Sequence, residues 1–129
     1  MSRIVVIEKD DLLRGLLKEW LSAEGYAVRE RRLHEPAAAE VADLVIVDLY
    51  MPRHEGREIV RAVKHAHPGA AVIAVSARFS RGLTGSWRAA HALGADQLIA
   101  KPFTRAELLH IVRTVMGLHF SCKRPEIAP

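Results

Sequence analysis

Leu44-Val45-Ile46-Val47-Asp48 sets an unbroken run of branched apolar side chains directly against a carboxylate. A short run that is apolar at every position predicts a strand covered on both faces. Two runs of the same texture, Ile4-Val5-Val6-Ile7 and Val72-Ile73-Ala74-Val75, flank it along the chain. Between them the apolar spacing becomes helical. Roughly Asp11 to Glu24 puts Leu13, Leu16, Leu17, Trp20 and Leu21 on one face. About Glu55 to Ala66 presents Ile59, Ala62, Val63 and Ala66, and Pro68-Gly69 ends that helix. Roughly Arg105 to Met116 groups Leu108, Ile111, Val112, Val115 and Met116, with Thr104 and Glu107 as a capping box. Weaker signals predict strands at Tyr26–Glu30 and Gln97–Ala100 and short helices at Glu35–Ala42 and Thr84–Leu93. Five strand–helix units in alternation predict an α/β fold, a parallel sheet with helices on both faces. The first and third strands are the most apolar and belong at the centre, which gives a five-stranded doubly wound sheet of order 2-1-3-4-5 with right-handed crossovers.

The 129 residues, 14.3 kDa, make one ordinary domain. A chain 50% hydrophobic and 26% charged is not intrinsically disordered. The longest apolar run, Ala70 to Val75, is six residues, which excludes a membrane span at that run and anchors the expectation of no membrane partner. Four apolar residues before Glu8 do not make a secretory leader. Cys122 is the single cysteine, so no internal disulfide forms, which fits a cytoplasmic location. Lys plus Arg number 19 against 15 Asp plus Glu, a net +4 that suits an acidic partner without indicating nucleic acid.

Ligands of an open α/β sheet bind outside the carboxyl ends of its strands, where the winding reverses. The first strand delivers Glu8 and Lys9 there, the third Asp48, the fourth Ser76, and the fifth Lys101-Pro102. Such a set suits phosphoryl handling. A carboxylate can act as nucleophile and carry an acyl phosphate. A hydroxyl and an ammonium can hold the phosphoryl oxygens as charge spreads over them. Mg²⁺ held by one or two carboxylates would bridge the transferred group. Any one of these residues alone reads as a turn or helix cap; polar residues at successive strand ends form a more specific pattern.

Leu44-Val-Ile-Val-Asp48-Leu-Tyr-Met51-Pro52, Glu55-Gly56, Ser76-Ala77, Gly94-Ala95 and Lys101-Pro102-Phe103 resemble the receiver domains of bacterial two-component response regulators. The likeness runs from Arg3 to about Met116 and implies a flavodoxin-like receiver fold. It implies that Asp48 accepts phosphate from a sensor histidine kinase or phosphotransfer protein, that Ser76 ligates the phosphoryl group, and that Lys101 pairs with it. Glu8, Asp48 and the backbone carbonyl of Tyr50 would hold Mg²⁺. Phosphorylation would then shift the region of the fourth and fifth strands and their helices, altering the surface offered to a downstream protein target.

This sequence departs from the pattern at one telling place: receivers usually carry two adjacent acids after the first strand, and here the pair is Glu8-Lys9. Glu8 and Asp48 are thereby balanced by Lys9 and Lys101. At ~4 Å and an effective dielectric of about 20, exchanging an acid for a lysine shifts a single-charge interaction by several kcal/mol, against Mg²⁺ affinity. Asp10 could ligate in its stead, but it is expected to be the N-cap of the first helix. Two readings follow: Lys9 replaces the metal and the domain is a phosphorylation-independent pseudo-receiver that binds proteins constitutively, or Lys9 swings out and Asp48 is phosphorylated. Leu98 stands where many receivers have an aromatic residue, the Glu30–Asp43 region is about one turn short, and Arg78–Trp87 is long. That long stretch reads either as a solvated loop or as a partner-recognition element.

Arg53, Arg57, Arg61 and Lys64 recur on the outward side of the middle helix, as a solvated face or a surface for an acidic partner; no recognition-helix or aromatic pattern supports nucleic acid. His65 and His67 are two apart and do not share a helix face, so they are no metal pair. Residues 1–118 are expected to form the receiver and 119–129 a short irregular tail. The thirteen residues after Met116 leave no room for an output domain, which predicts a stand-alone, non-enzymatic receiver signalling by protein–protein contact. A haloacid-dehalogenase-type phosphatase would need an acid two residues after the nucleophile, and position 50 is Tyr. A basic nucleic-acid module would reveal itself by steep salt dependence.

Overall fold

The structure, a computed structural model, describes residues 2–32, 41–49 and 53–123, with side chains throughout these except at 53–55 and 118–123. Five strands, β1 (Arg3–Ile7), β2 (Ala27–Arg31), β3 (Leu44–Asp48), β4 (Ala71–Ser76) and β5 (Gln97–Ala100), form one parallel sheet. Their order is β2-β1-β3-β4-β5, as the alternation of elements predicts. Four helices are described: α1 (Asp11–Ala23), α2 (Arg53–Ala66), α3 (Trp87–Ala92) and α4 (Arg105–Lys123), with a 3-10 turn at Arg81–Leu83.

The continuous apolar runs are explained by the two covers. Ile4, Val6, Leu44, Ile46, Ile73, Val75 and Ile99 face Leu17 and Leu21 of α1 and Leu108 and Val112 of α4. The alternate residues Val5, Ile7, Val45, Val47, Val72, Ala74 and Leu98 face Val60 and Val63 of α2 and Ala90 of α3. Alternate apolar residues of the inner strands thus meet opposite layers, and β3 and β4 are buried at every position.

Asp10 and the Thr104/Glu107 box cap their helices as their sequence positions imply. Asp10 Oδ1 accepts the Leu12 and Leu13 N–H groups at 3.0 and 3.1 Å. Thr104 Oγ1 accepts the Glu107 N–H at 3.1 Å, and Glu107 Oε1 accepts the Thr104 N–H at 2.9 Å. Gly25, at φ 92°, turns the chain out of α1 in a conformation that side chains resist.

Two boundaries differ from expectation. The helix predicted over Thr84–Leu93 starts only at Trp87, because Gly85 sits at φ 82° and Ser86 is the N-cap, its Oγ accepting the Ala89 N–H at 3.2 Å. The last helix continues past Met116 to Lys123, where an irregular tail was expected from 119. Nothing between Gly117 and Lys123 breaks a helix; the first proline is Pro125, and residues 124–129 lie outside the described residues. The helix expected at Glu35–Ala42 also falls largely outside them.

At the edge where strands begin, two aspartates clip neighbouring strands. Asp43 Oδ2 accepts the Arg3 N–H at 2.8 Å and Asp96 Oδ2 accepts the Val72 N–H at 2.8 Å. Asp96→Ala, which removes a partly buried charge-assisted bond, lowers the unfolding free energy by about 1.5–3 kcal/mol. Lys64→Ala, which loses only the exposed 3.7 Å pair with Asp96, costs less than about 1 kcal/mol. Urea titrations of both variants check the ratio.

Candidate functional site

The strand register gathers the polar strand ends. Ile7 pairs with Val47, Asp48 with Val75, and Ser76 with Ala100, so the residues that follow leave the sheet along one edge. The Leu49 N–H donates to Val75 O at 2.7 Å and the Lys101 N–H to Ser76 O at 3.0 Å, which carries the parallel pairing to the site. The Lys101–Pro102 peptide there is cis.

Lys101 is the hub. Its Nζ lies 2.6 Å from Glu8 Oε1 and 3.1 Å from Asp48 Oδ1. Both carboxylates are buried, Glu8 at 3% exposure and Asp48 at 5%. Lys101 also lines a cleft of about 470 Å³ together with Asp10, Leu13, Ala77 and Phe103 among others. Arg14 Nη1 donates to Glu8 O at 2.8 Å and pairs with Asp11, which fixes the turn that presents Glu8. No sequence signal singled out Arg14, because its partner is a backbone carbonyl.

Burial pushes the Glu8 carboxyl above the 4.5 of a free glutamate, and the neighbouring Asp48 carboxylate pushes the same way; Lys101 offsets only part. Burial pulls the Lys101 ammonium down, but its bond to Glu8 and the charges of both carboxylates together raise it above 10.5. Glu8 therefore holds a proton more tightly folded than unfolded. Its stabilising contribution is complete below pH 4.5 and is lost as pH rises through its raised folded value. Glu8→Gln flattens the stability–pH curve above pH 4.5, as urea midpoints across a pH series would show. An unchanged slope would separate Glu8 from this effect.

Ser76 is buried, and its Oγ accepts the Arg78 N–H at 3.0 Å. A hydroxyl that accepts still has its proton to donate. Beside it lies a cavity of about 190 Å³ lined by Leu49, Gly56, Ser76, Arg78 and Phe79 among others. Among the described residues, buried Asp48 Oδ2 has no hydrogen-bond partner, and Glu8 Oε2 receives only a long 3.4 Å contact from the Asp10 N–H. Two carboxylates with spare oxygen capacity suit a hard divalent ion such as Mg²⁺. Tyr50, whose carbonyl the sequence suggests as a third ligand, lies outside the described residues, and no cluster of three or more acidic, His or Cys side chains occurs among the described ones. Asp10 spends Oδ1 on its helix cap. Lys9 is exposed; the ammonium on Asp48 Oδ1 is that of Lys101.

The long stretch after β4 is anchored rather than merely solvated. The Gly85 N–H donates to Leu98 O at 3.1 Å, Thr84 Oγ1 accepts the Ala100 N–H at 2.9 Å, and Gln97 Nε2 donates to Gly85 O at 3.0 Å. It thereby covers the outer edge of β5, while Phe79 and Leu83 pack on the core. Leu98, in the place of an aromatic, is wholly buried.

Comparison with known proteins agrees with the fold and gives its family. The model of the response regulator receiver domain matches residues 4–113. The transcriptional regulatory protein CpxR of Klebsiella pneumoniae is 32% identical over 124 residues, which cover 90% of this chain and 50% of that protein. Regulatory protein VirG of Agrobacterium fabrum is 29% identical over 132 residues, covering 99% of this chain and 49% of its own. The chain spans about half the length of the curated relatives it matches. A CheY-like receiver domain protein from Methanospirillum hungatei superposes with a TM-score of 0.76 at 24% identity, over 94% of this chain and 98% of that one, and so shares the fold. Response regulator TrrA from Thermotoga maritima, solved in complex with Mg(2+)-BeF, gives 0.69 at 29% identity over 89% of this chain and 99% of its own. No helix among the described residues is long and apolar enough to cross a membrane. With its sheet order, its strand-end carboxylates and lysine, and a family match over nearly its whole length, this chain belongs to the response regulator receiver domain family of two-component signalling.

Proposed function

We propose that Asp48 is the phosphoacceptor of this receiver, taking a phosphoryl group from a phosphohistidine on a sensor kinase or phosphotransfer protein and signalling through contact with a downstream protein. The supporting observation is the shared ammonium: Lys101 Nζ sits 3.1 Å from Asp48 Oδ1, where it can also meet a phosphoryl oxygen on that carboxylate. Asp48 attacks phosphorus, the P–N bond to the donor imidazole breaks, and the imidazole leaves as a neutral ring after protonation. Lys101 balances the charge that accumulates on the phosphoryl oxygens, and Ser76 donates its hydroxyl proton to one of them. Glu8 and Asp48 Oδ2 are the groups that would hold Mg²⁺, which when bound neutralises part of that charge. The domain is a signalling module whose covalent chemistry is its own acylphosphate formation and loss.

The stand-alone expectation concerns the native gene product and is tested by its mass in source cells; the role proposed here is that of the domain in either case. The second reading, a phosphorylation-independent pseudo-receiver, draws on the Lys9 substitution and on Lys101 already bridging the two carboxylates. Incubation with a small acyl phosphate and saturating Mg²⁺, followed by intact-mass measurement, separates the two. A single phosphoryl adduct, absent in Asp48→Asn, supports the phosphoacceptor. No adduct, with partner binding the same in Asp48→Asn, supports the pseudo-receiver.

A further inference from the structure

The outer face of α2 carries a row of cations of which only Lys64 has a carboxylate partner among the described residues. Arg57, Arg61, Lys64 and His65 are all exposed and fall at intervals of three and four, one stripe along the helix. Several other cations have carboxylate partners: Arg14 pairs with Asp11, Arg113 with Glu24, and Arg81 lies 3.8 Å from Glu107, while Lys18 and Arg105 are isolated exposed cations with none among the described residues. Arg57 and Arg61 have no hydrogen bond or ion pair with any described residue, and Lys64 has only the long contact to Asp96. Like charges at i and i+4 destabilise a helix, and Arg57 stands near the N-terminal, positive end of the macrodipole. Gly56 weakens the same helix further, held there because a Cβ would lie 3.3 Å from Leu49 Cδ1. Lys64 and His65 lie in the last turn, where the macrodipole favours cations, so the unfavourable terms are the like-charge pairs Arg57–Arg61 and Arg61–Lys64, which an anionic partner relieves.

We infer that this face of α2 is a docking surface for an acidic helix of a protein partner. The stripe is linear and presents cations about 6 Å apart, which glutamates at matching intervals on a second helix complement. Between Arg57 and Ala66 the helix has no Phe, Tyr or Trp on which a base could stack, which disfavours single-stranded nucleic acid. None of Arg57, Arg61, Lys64 and His65 lines the cavities beside Ser76 and Lys101, so the stripe is offered to a partner in the unphosphorylated protein as well.

The test titrates the full chain with a labelled helical peptide bearing glutamates at three- and four-residue intervals, and separately with a random-sequence DNA duplex, at ionic strengths of about 0.02 and 0.2 M. The expected result is peptide binding that weakens with salt, falls about tenfold or more in R57E/R61E, is unchanged in the equal-charge control K18E/R105E, and is unchanged in Asp48→Asn. R61E, which sets a carboxylate between Arg57 and Lys64, should raise Tm while binding falls, a pairing that misfolding cannot give. Equal losses in both double variants, tighter binding to the duplex than to the peptide, or loss of binding together with a lowered Tm would overturn the inference.

Discussion

Lys101→Met lowers the unfolding free energy by about 3–5 kcal/mol at neutral pH, the scale for stripping a buried charge of its counter-ion. Methionine keeps the reach of the chain but leaves Glu8 and Asp48, both almost wholly buried, facing each other without the ammonium 2.6 and 3.1 Å away. The penalty depends on pH in a definite way. On the acid side the variant recovers, because Glu8, already raised by burial and by Asp48, takes up a proton and the repulsion ends. On the alkaline side the wild type declines: the raised Lys101 contributes stability that is full below 10.5 and is lost as pH rises through its folded value. The two stability curves therefore converge at both ends. Asp48→Asn should be near neutral or stabilising, since it removes the repulsion and keeps the bridge to Glu8. Urea unfolding across pH reads all three; a Lys101→Met loss below about 1 kcal/mol would mean the cluster is solvated like a surface pair.

Lys9→Asp raises Mg²⁺ affinity at least tenfold. It replaces a cation beside Glu8 with the second acid typical of the family, in a site whose other residues are two carboxylates and one lysine. At ~4 Å and an effective dielectric near 20 the reversal is worth several kcal/mol, of which solvent exposure of position 9 removes a part. Titration calorimetry with Mg²⁺ on the two proteins decides it. Equal affinities would show that position 9 does not govern the metal, and the departure from the family pattern would carry no functional weight.

The sheet and its order were legible because parallel strands buried on both faces must be apolar at every position, and Ile4–Ile7, Leu44–Val47 and Val72–Val75 are. The clustering of Glu8, Asp48, Ser76 and Lys101 followed from topology, since parallel strands all end on one edge. What the chain order could not convey was which lysine sits on Asp48. Lys9 and Lys101 both leave strands at that edge, and only the packing of the β5–α4 turn sets the Lys101 ammonium between two carboxylates. The strap over β5 was equally hidden, because its bonds run from Gly85 and Thr84 to strand backbone, and backbone groups have no sequence signature. α4 runs on to Lys123 because a proline ends a helix only near its own position, and residues 118–123, ahead of Pro125, carry no stop signal.

The measurement that bears most directly on the central claim is the location of the phosphoryl group itself. The protein is exposed to a small acyl phosphate with Mg²⁺, the acylphosphate is trapped by reduction, and the modified residue is identified by peptide mass mapping. A single modification is expected, at Asp48, with a yield that drops steeply in Lys101→Met and Ser76→Ala. Modification at Glu8 or any other carboxylate, or none at saturating metal, would contradict it.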